Sequence, residues 1–140
     1  MTWLTWALLS AFFAGLTAIL AKVGVESVNS HLATAIRTTV VLVFTWSIAL
    51  AVVPAGSLAA LSRRTWVFLA LSGIATGLSW LCYFRALQLG EASRVAPIDK
   101  LSVIFAIGLA AVFLHERLNW QQWIGGGLIA IGAVVIAWAR

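Results

Sequence analysis

Charged residues are scarce in this sequence. Only 9% of its 140 residues are charged, nine Lys and Arg against four Asp and Glu, whereas 63% are hydrophobic. A soluble domain has about 25% charged residues and about 45–50% apolar residues. Because so few charges cannot cover a surface that faces water, the composition predicts an integral membrane protein.

Cysteine is almost absent, and no catalytic motif is present. Cys82 is the single cysteine, and one thiol forms neither a disulfide framework nor a thiolate metal site. HExxH, Walker A and GxSxG patterns are missing, and the "GGG" at 125–127 lacks the lysine of a phosphate loop. We therefore expect no catalytic residue, no metal and no cofactor, and a protein that is not an enzyme.

The basic residues are scattered rather than clustered. The net charge of +5 could suggest a nucleic-acid partner, but no basic stripe interleaves with aromatic residues as a nucleic-acid surface requires. Lys and Arg in a membrane protein usually flank the membrane spans. We therefore expect the lipid bilayer as a partner and no nucleic acid.

Five apolar runs organise the chain. They cover about 4–21, 32–53, 66–87, 95–114 and 121–139, and each has about the 20 residues that a membrane-crossing helix needs. The runs do not alternate in polarity as barrel strands do, and a backbone in lipid must satisfy its own hydrogen bonds. The pattern predicts an all-α protein with five transmembrane helices in one domain, residues 1–140. The first run lacks a basic n-region, so we interpret it as a retained helix.

The loop charges predict no preferred orientation. Five helices place the two ends of the chain on opposite faces of the membrane. Three basic loop residues fall on each face, namely Arg63, Arg64 and Arg117 against Lys22, Arg94 and Arg140. Since positive residues normally mark the cytoplasmic face, this balance allows either orientation.

Asp99 and Lys100 stand side by side at the front of the fourth run. A helix from Leu101 to Leu114 would be about 21 Å long, short of a hydrocarbon core of about 30 Å. Both charges are therefore predicted in the first turn of a helix that starts near Pro97. There Asp99 would cap the helix dipole and Lys100 would snorkel. Alternatively, either residue contacts a polar solute or a proton, because ionisable groups at membrane depth are functional candidates.

Other polar and aromatic residues lie inside or beside the second and third spans. Arg37 is either an interfacial anchor or a cation that lines a path. Near the end of the third span, Trp80 and Tyr83 provide either helix packing or the wall of a binding cavity. Arg85 is either an interfacial residue or the partner of an acid.

Two further charged residues lie near span ends. Glu116 follows the fourth span, where a carboxylate is unfavourable by the helix dipole. We therefore expect it to pair with Arg117 or Arg64, with proton coupling as the alternative. Lys22, at the end of the first span, is a candidate cavity-lining residue.

Small residues predict where helices approach closely. Gly126, Ala130, Ala133 and Ala137 share one face of the fifth run, and Gly73 with Gly77 forms a GxxxG pattern in the third. These faces are candidates for packing within the chain or between two copies.

The stretch "YFRALQLGEASRVAPIDKLSVIFAIGLAAVFLHERLNWQQWIGGGLIAIGAVVIA" resembles the EamA domain of the drug/metabolite transporter superfamily. The resemblance rests on "AL.LG.AS.VAP", on "ERL" after the fourth run and on "Q..G..LI..G" in the fifth. The first half resembles the family more loosely, through "AFFAGLTAILAKVGVESV" and "AIRT". Full-size members have two such units, ten helices with inverted halves. This chain looks like the half-size, five-helix bacterial and archaeal branch, which is located in the cell membrane.

The resemblance implies a secondary transporter that exports small metabolites or drug-like molecules. A lipid-carrier or glycolipid flippase component, and an accessory membrane protein that transports nothing, are the alternatives. Half the length of an inverted-repeat transporter, together with the charge balance, favours a homodimer whose copies could insert in opposite orientations. Asp99 is the first candidate for proton coupling, with Glu116 and Glu26 next. The residues expected to line a central cavity are Lys22, Arg37, Trp80, Tyr83, Asp99 and Lys100.

Overall fold

A computed structural model describes residues 2–138, and the regular structure in this part is entirely helical. The helices are α1 (Trp3–Val25), α2 (Ser30–Val52), α3 (Arg63–Leu89), α4 (Ala92–Asp99), α5 (Ser102–Phe113) and α6 (Trp120–Trp138). By length and composition the described residues form five spans, with α4 and α5 together making one. This confirms the all-α membrane class. Arg140, counted in the charge balance, and the last residue of the predicted helix 121–139 lie outside the described residues.

Local turn chemistry sets several helix ends. The Asn29 side chain accepts a hydrogen bond from the backbone N–H of His31 at 2.9 Å, which caps α2. The backbone N–H of Thr65 donates to the Ser62 hydroxyl at 3.1 Å, which caps α3 in the same way. Between these helices Gly56 has a φ of +93°, a conformation that glycine adopts without steric cost.

The fourth span differs from the prediction. Its helix begins at Ala92, after Glu91 in extended conformation, so the placement of Asp99 and Lys100 in a first turn is wrong. Asp99 is the last residue of α4. The reason is that a polar turn of helix precedes the apolar run, supported by an ion pair of 3.4 Å between Glu91 and Arg94 at the favourable i, i+3 spacing.

A tight turn interrupts this span just after Pro97. Lys100 and Leu101 keep right-handed helical dihedrals, but their N–H groups donate to residues three positions back, Pro97 and Ile98, at 3.1 and 3.0 Å. Such bonds are typical of a 3₁₀ turn, which often marks a hinge. Pro97 has no N–H and cannot continue the α-helical ladder. The fourth span is therefore one continuous segment in which a 3₁₀ turn joins α4 to α5.

The chain forms two compact units. The first, here called the α4–α6 unit, joins the stretch ending at Lys22 to the stretch beginning at Leu89. In it α6 packs against α4 and α5. Gly126 and Ala133 are buried, and a Cβ at Gly126 would lie 3.4 Å from Ile107 Cδ1. The small-residue face of α6 therefore serves packing within the chain.

The second, the α2–α3 unit, covers Val23–Gln88. Gln88 at the end of α3 donates from Nε2 to the carbonyl oxygens of Val28, at 2.6 Å, and Val25, at 3.3 Å. Val25 and Leu87 beside these bonds are fully buried. Gly73, by contrast, would meet no described atom within 4 Å if it carried a Cβ, so part of the GxxxG face of α3 is open.

Candidate functional site

An arginine lies over two aromatic rings inside the α2–α3 unit. Arg37 is the eighth residue of α2, about 10 Å along the helix from its first residue. Its guanidinium carbon is 4.0 Å from the ring centroid of Trp80 and 5.6 Å from that of Phe84. Both distances fall within the range of about 6 Å for cation–π attraction. We call these three residues the Arg37 cluster.

The spacing of residues on α3 explains why the cluster forms. Trp80, Phe84 and Gln88 are four residues apart, so they share one helix face. Gln88 holds the end of α3 against the carbonyl groups that precede α2. This anchoring sets the rings of Trp80 and Phe84 at the same height as Arg37, which lies in the first third of α2. Gln88 was not singled out from the sequence; its position eight residues after Trp80 places it on the same helix face but does not reveal its two backbone partners.

The guanidinium of Arg37 has no protein acceptor in the described chain. It forms no ion pair within residues 2–138, although Tyr83 interacts with it electrostatically, and a guanidinium has five N–H donors to offer a ligand. The nearby Thr34 and Thr38 hydroxyls donate to carbonyl oxygens of their own helix at 2.8 and 2.7 Å. Arg37 is therefore available to form charge-assisted, two-pronged bonds with a carboxylate or phosphate.

Arg85 and Tyr83 lie near the Arg37 cluster but play different parts. The Arg85 side chain is exposed and donates from Nη1 to Gln88 Oε1 at 3.0 Å, so its partner is an amide. Tyr83 is half-buried, three residues after Trp80. Arg85 therefore donates a hydrogen bond to Gln88, whereas Arg37 stacks on the rings of Trp80 and Phe84.

The second group of predicted residues lies in the α4–α6 unit, at the tight turn. Lys100 Nζ is 3.4 Å from Asp99 Oδ2, and their side chains are 55% and 37% exposed. Neighbouring residues in a regular helix do not face each other, so this pairing depends on the turn at Lys100. About 10 Å of helix separates Asp99 from the start of the span at Ala92. Asp99 and Lys100 therefore form a partly exposed ion pair of adjacent residues.

The structure also places the remaining charged candidates. Lys22 Nζ donates to the carbonyl oxygen of Gly90 at 3.0 Å, which ties the end of α1 to the loop before α4. Glu116 is exposed in the loop after α5 and forms no ion pair with Arg117 in the described part of the chain. Its pairing with Arg64 stays a prediction.

Comparison with known proteins agrees with this architecture. The EamA-like transporter family matches residues 1–138. A protein of a Sinorhizobium species, described as an uncharacterized transporter in the cobO 3' region, is 52% identical over 136 residues, which are 97% of this chain and 96% of that protein. No solved structure matches this chain significantly.

Two other relatives match part of the chain. A probable terminal-alkyne amino-acid exporter of Streptantibioticus cattleyicolor is 40% identical over 73 residues, 49% of this chain and 24% of that protein. A probable 4-amino-4-deoxy-L-arabinose-phosphoundecaprenol flippase subunit ArnF of Erwinia tasmaniensis is 37% identical over 68 residues, 46% of this chain and 53% of that protein. With five spans and a family match over nearly its whole length, this multi-pass membrane protein belongs to the EamA-like transporter family.

Proposed function

We propose that the protein is a secondary active transporter that exports small metabolites or drug-like molecules bearing an acidic group. The observation that carries the proposal is the unpaired guanidinium of Arg37, about 10 Å inside a span. A charge at membrane depth is costly and is tolerated where it meets water, a partner or a ligand. Because the described chain offers Arg37 two aromatic faces and an electrostatic interaction with Tyr83 but no carboxylate, a solute anion is its natural partner in this proposal.

The Arg37 cluster can recognise such a solute in two ways. A carboxylate or phosphate accepts two parallel hydrogen bonds from the guanidinium. The rings of Trp80 and Phe84 hold the guanidinium plane from the other side through cation–π attraction. An apolar or aromatic body attached to the acid can then rest on neighbouring side chains, which suits drug-like molecules.

Protons drive export in this proposal, and Asp99 carries the coupling. When Asp99 binds a proton it no longer attracts Lys100, so the Asp99–Lys100 pair dissolves. The pair sits at the tight turn between α4 and α5, and a change of partner there alters a hinge. Alternating access requires such a change to open one face of the protein while the other closes.

The working unit in this proposal is a homodimer whose two copies are inverted. Inverted-repeat transporters place their substrate site between two half-units, and this chain has the five spans of one half. The balance of basic loop residues supports insertion in both orientations. A relative named as a flippase subunit also fits a chain that functions within an assembly.

The orientation can be measured by labelling single cysteines. In a Cys82→Ser background, cysteines replace Ser62, near Arg64, and Ser27, near Glu26, and an impermeant thiol reagent is added to one side of the membrane. We expect each site to be labelled partially from either side. Complete labelling of one site from one side only would contradict the inverted dimer.

Transport itself is tested with purified protein in liposomes. A panel of acidic solutes is first screened by thermal shift, because binding raises apparent stability. The solutes that bind are then followed as flux under an imposed pH gradient. We expect Asp99→Asn to abolish proton-driven flux, while Glu91→Gln, which removes an exposed carboxylate just before the same helix, leaves it intact. Unchanged coupling in Asp99→Asn would remove Asp99 from the mechanism.

A lipid-carrier flippase component is the second candidate function, favoured by the ArnF relative. It predicts that liposomes show transbilayer movement of a polyprenyl phosphate lipid and no flux of water-soluble acids. Movement of the acids without the lipid supports export instead.

A further inference from the structure

A cavity lies at the other end of α2, where the helix passes into the loop before α3. Its volume is about 590 Å³, within the range of about 300–1,000 Å³ typical of ligand pockets. All of its lining belongs to the α2–α3 unit: Thr45, Trp46, Ala49, Leu50, Val53, Pro54, Ala55, Gly56, Ser57, Leu58 and Leu61. Arg37 is about 12 Å away along the helix axis from Thr45, so this groove is separate from the Arg37 cluster.

The lining of this loop groove suits a hydrocarbon chain rather than a polar solute. No charged side chain lines it. Its two side-chain hydroxyls, of Thr45 and Ser57, each donate to a backbone carbonyl at 2.8 Å, on Val41 and Pro54. Since those protons are already bonded, transfer of apolar atoms from water into the groove is the main attraction it offers.

Two arginines stand at one end of the loop groove. Leu61 lines it, and Arg63 and Arg64 open α3 two and three residues later. Because consecutive Cα atoms are about 3.8 Å apart, the Cα of Arg63 lies within about 7.6 Å of that of Leu61. Neither arginine has a carboxylate partner within the described residues. The Arg64 guanidinium lies 5.8 Å from the Phe68 ring centroid.

We propose that the loop groove binds one acyl chain of an anionic phospholipid, whose phosphate is held by Arg63 and Arg64. Three observations combine here. The groove is apolar, it lies where two spans end at the bilayer surface, and an unpaired basic pair adjoins it. Basic residues at the membrane surface attract anionic lipid headgroups. The lipid is a bound partner in this proposal, not the transported solute.

Trp46 lines the loop groove and is 44% exposed, so it reports on an occupant. Phosphatidylglycerol with brominated acyl chains is titrated into phosphatidylcholine vesicles that contain the protein, and tryptophan quenching is followed. The difference between wild type and Trp46→Phe isolates the Trp46 component among the eight tryptophans. Brominated phosphatidylcholine serves as the neutral lipid.

We expect the fluorescence of Trp46 to be half-quenched at a much lower mole fraction of brominated phosphatidylglycerol than of brominated phosphatidylcholine. Arg63→Gln/Arg64→Gln should raise that fraction about 30-fold, the factor expected from two basic residues at the surface. Arg85→Gln/Arg117→Gln removes the same charge elsewhere and should change nothing. Ala49→Phe fills the groove and should reduce quenching, whereas Ala51→Phe, outside the lining, should not.

Two results would overturn the proposal. Equal quenching by the two lipids would indicate an ordinary lipid-facing surface. Protection of Trp46 that rises with protein concentration, whatever the lipid, would indicate that a second copy covers the groove. The Arg63→Gln/Arg64→Gln variant changes only exposed residues, so its result does not depend on how the core tolerates Ala49→Phe.

Discussion

The two units of this protein hold charge inside a span in opposite ways. In the α2–α3 unit, Arg37 lies on the faces of Trp80 and Phe84, and no carboxylate within the described residues forms an ion pair with it. In the α4–α6 unit, Asp99 and Lys100 neutralise each other at 3.4 Å. Both are about 10 Å from the start of their span. The stacked cation has no acidic partner within the described residues, whereas the two charges of the pair cancel each other.

In the proposed function, this difference assigns substrate binding to one unit and proton coupling to the other. Arg37 is half-buried, and cation–π attraction of about 0.5–2 kcal/mol replaces only part of the hydration that its charge loses, so in this proposal Arg37 still binds a carboxylate. An ion pair between adjacent residues is weak when it is partly exposed, as the Asp99–Lys100 pair is. The proposal therefore places the acidic solute in one unit and the response to protons in the other.

Loss of the stacked charge should have the largest effect. Arg37→Gln is expected to weaken binding of an acidic solute by about 2–5 kcal/mol, or about 30-fold and more, because a charge pair is lost. Binding is measured by calorimetry in detergent. The matched control is Arg117→Gln, which removes an exposed guanidinium from the loop after α5. Equal losses in both variants would show that the Arg37 cluster is not the binding site.

The two units also differ in whether a small-residue face is covered: Gly126 on α6 faces Ile107, whereas Gly73 on α3 is open. Gly126→Leu should destabilise the protein by about 1–3 kcal/mol, because a side chain there overpacks against Ile107. Gly73→Leu should leave the stability of the monomer nearly unchanged, since no described atom opposes it. Thermal unfolding in detergent measures both. If Gly73→Leu also lowers dimer content, the open face of α3 contributes to assembly.

Removing one ring should have the smallest effect. Trp80→Leu is expected to weaken solute binding by about 1 kcal/mol, or about fivefold, because Arg37 loses its nearest ring and becomes more mobile. Trp66→Leu, at the exposed start of α3, is the control for loss of a tryptophan. An effect of Trp80→Leu as large as that of Arg37→Gln would mean that the ring itself contacts the solute.

Sequence reasoning succeeded where the interaction is local. Hydropathy and length predicted five spans, and all five are confirmed by helices of suitable length. The prediction was wrong at the fourth span, because the helix was assumed to cover only the apolar residues. The helix in fact begins at Ala92, within a more polar stretch that precedes the apolar run, so Asp99 ends α4 rather than opening a helix.

The sequence also identified most of the candidate residues without their partners. Arg37 and Trp80 were both singled out, but their contact was not predicted, because it joins two helices through packing. Gln88 was missed because an amide near the end of an apolar run gives no signal of its own. Its role depends on two backbone carbonyl groups that only the folded chain brings within reach.

By itself, then, the sequence determined that this protein lies in a lipid bilayer, that it is helical and how long its spans are. These follow from how many apolar residues stand in a row, since a backbone in lipid must complete its own hydrogen bonds. The tertiary structure alone decided that Arg37 is stacked while Asp99 is paired, and that small residues on α6 are covered. Such choices depend on which side chains distant segments bring together, and no local pattern encodes that.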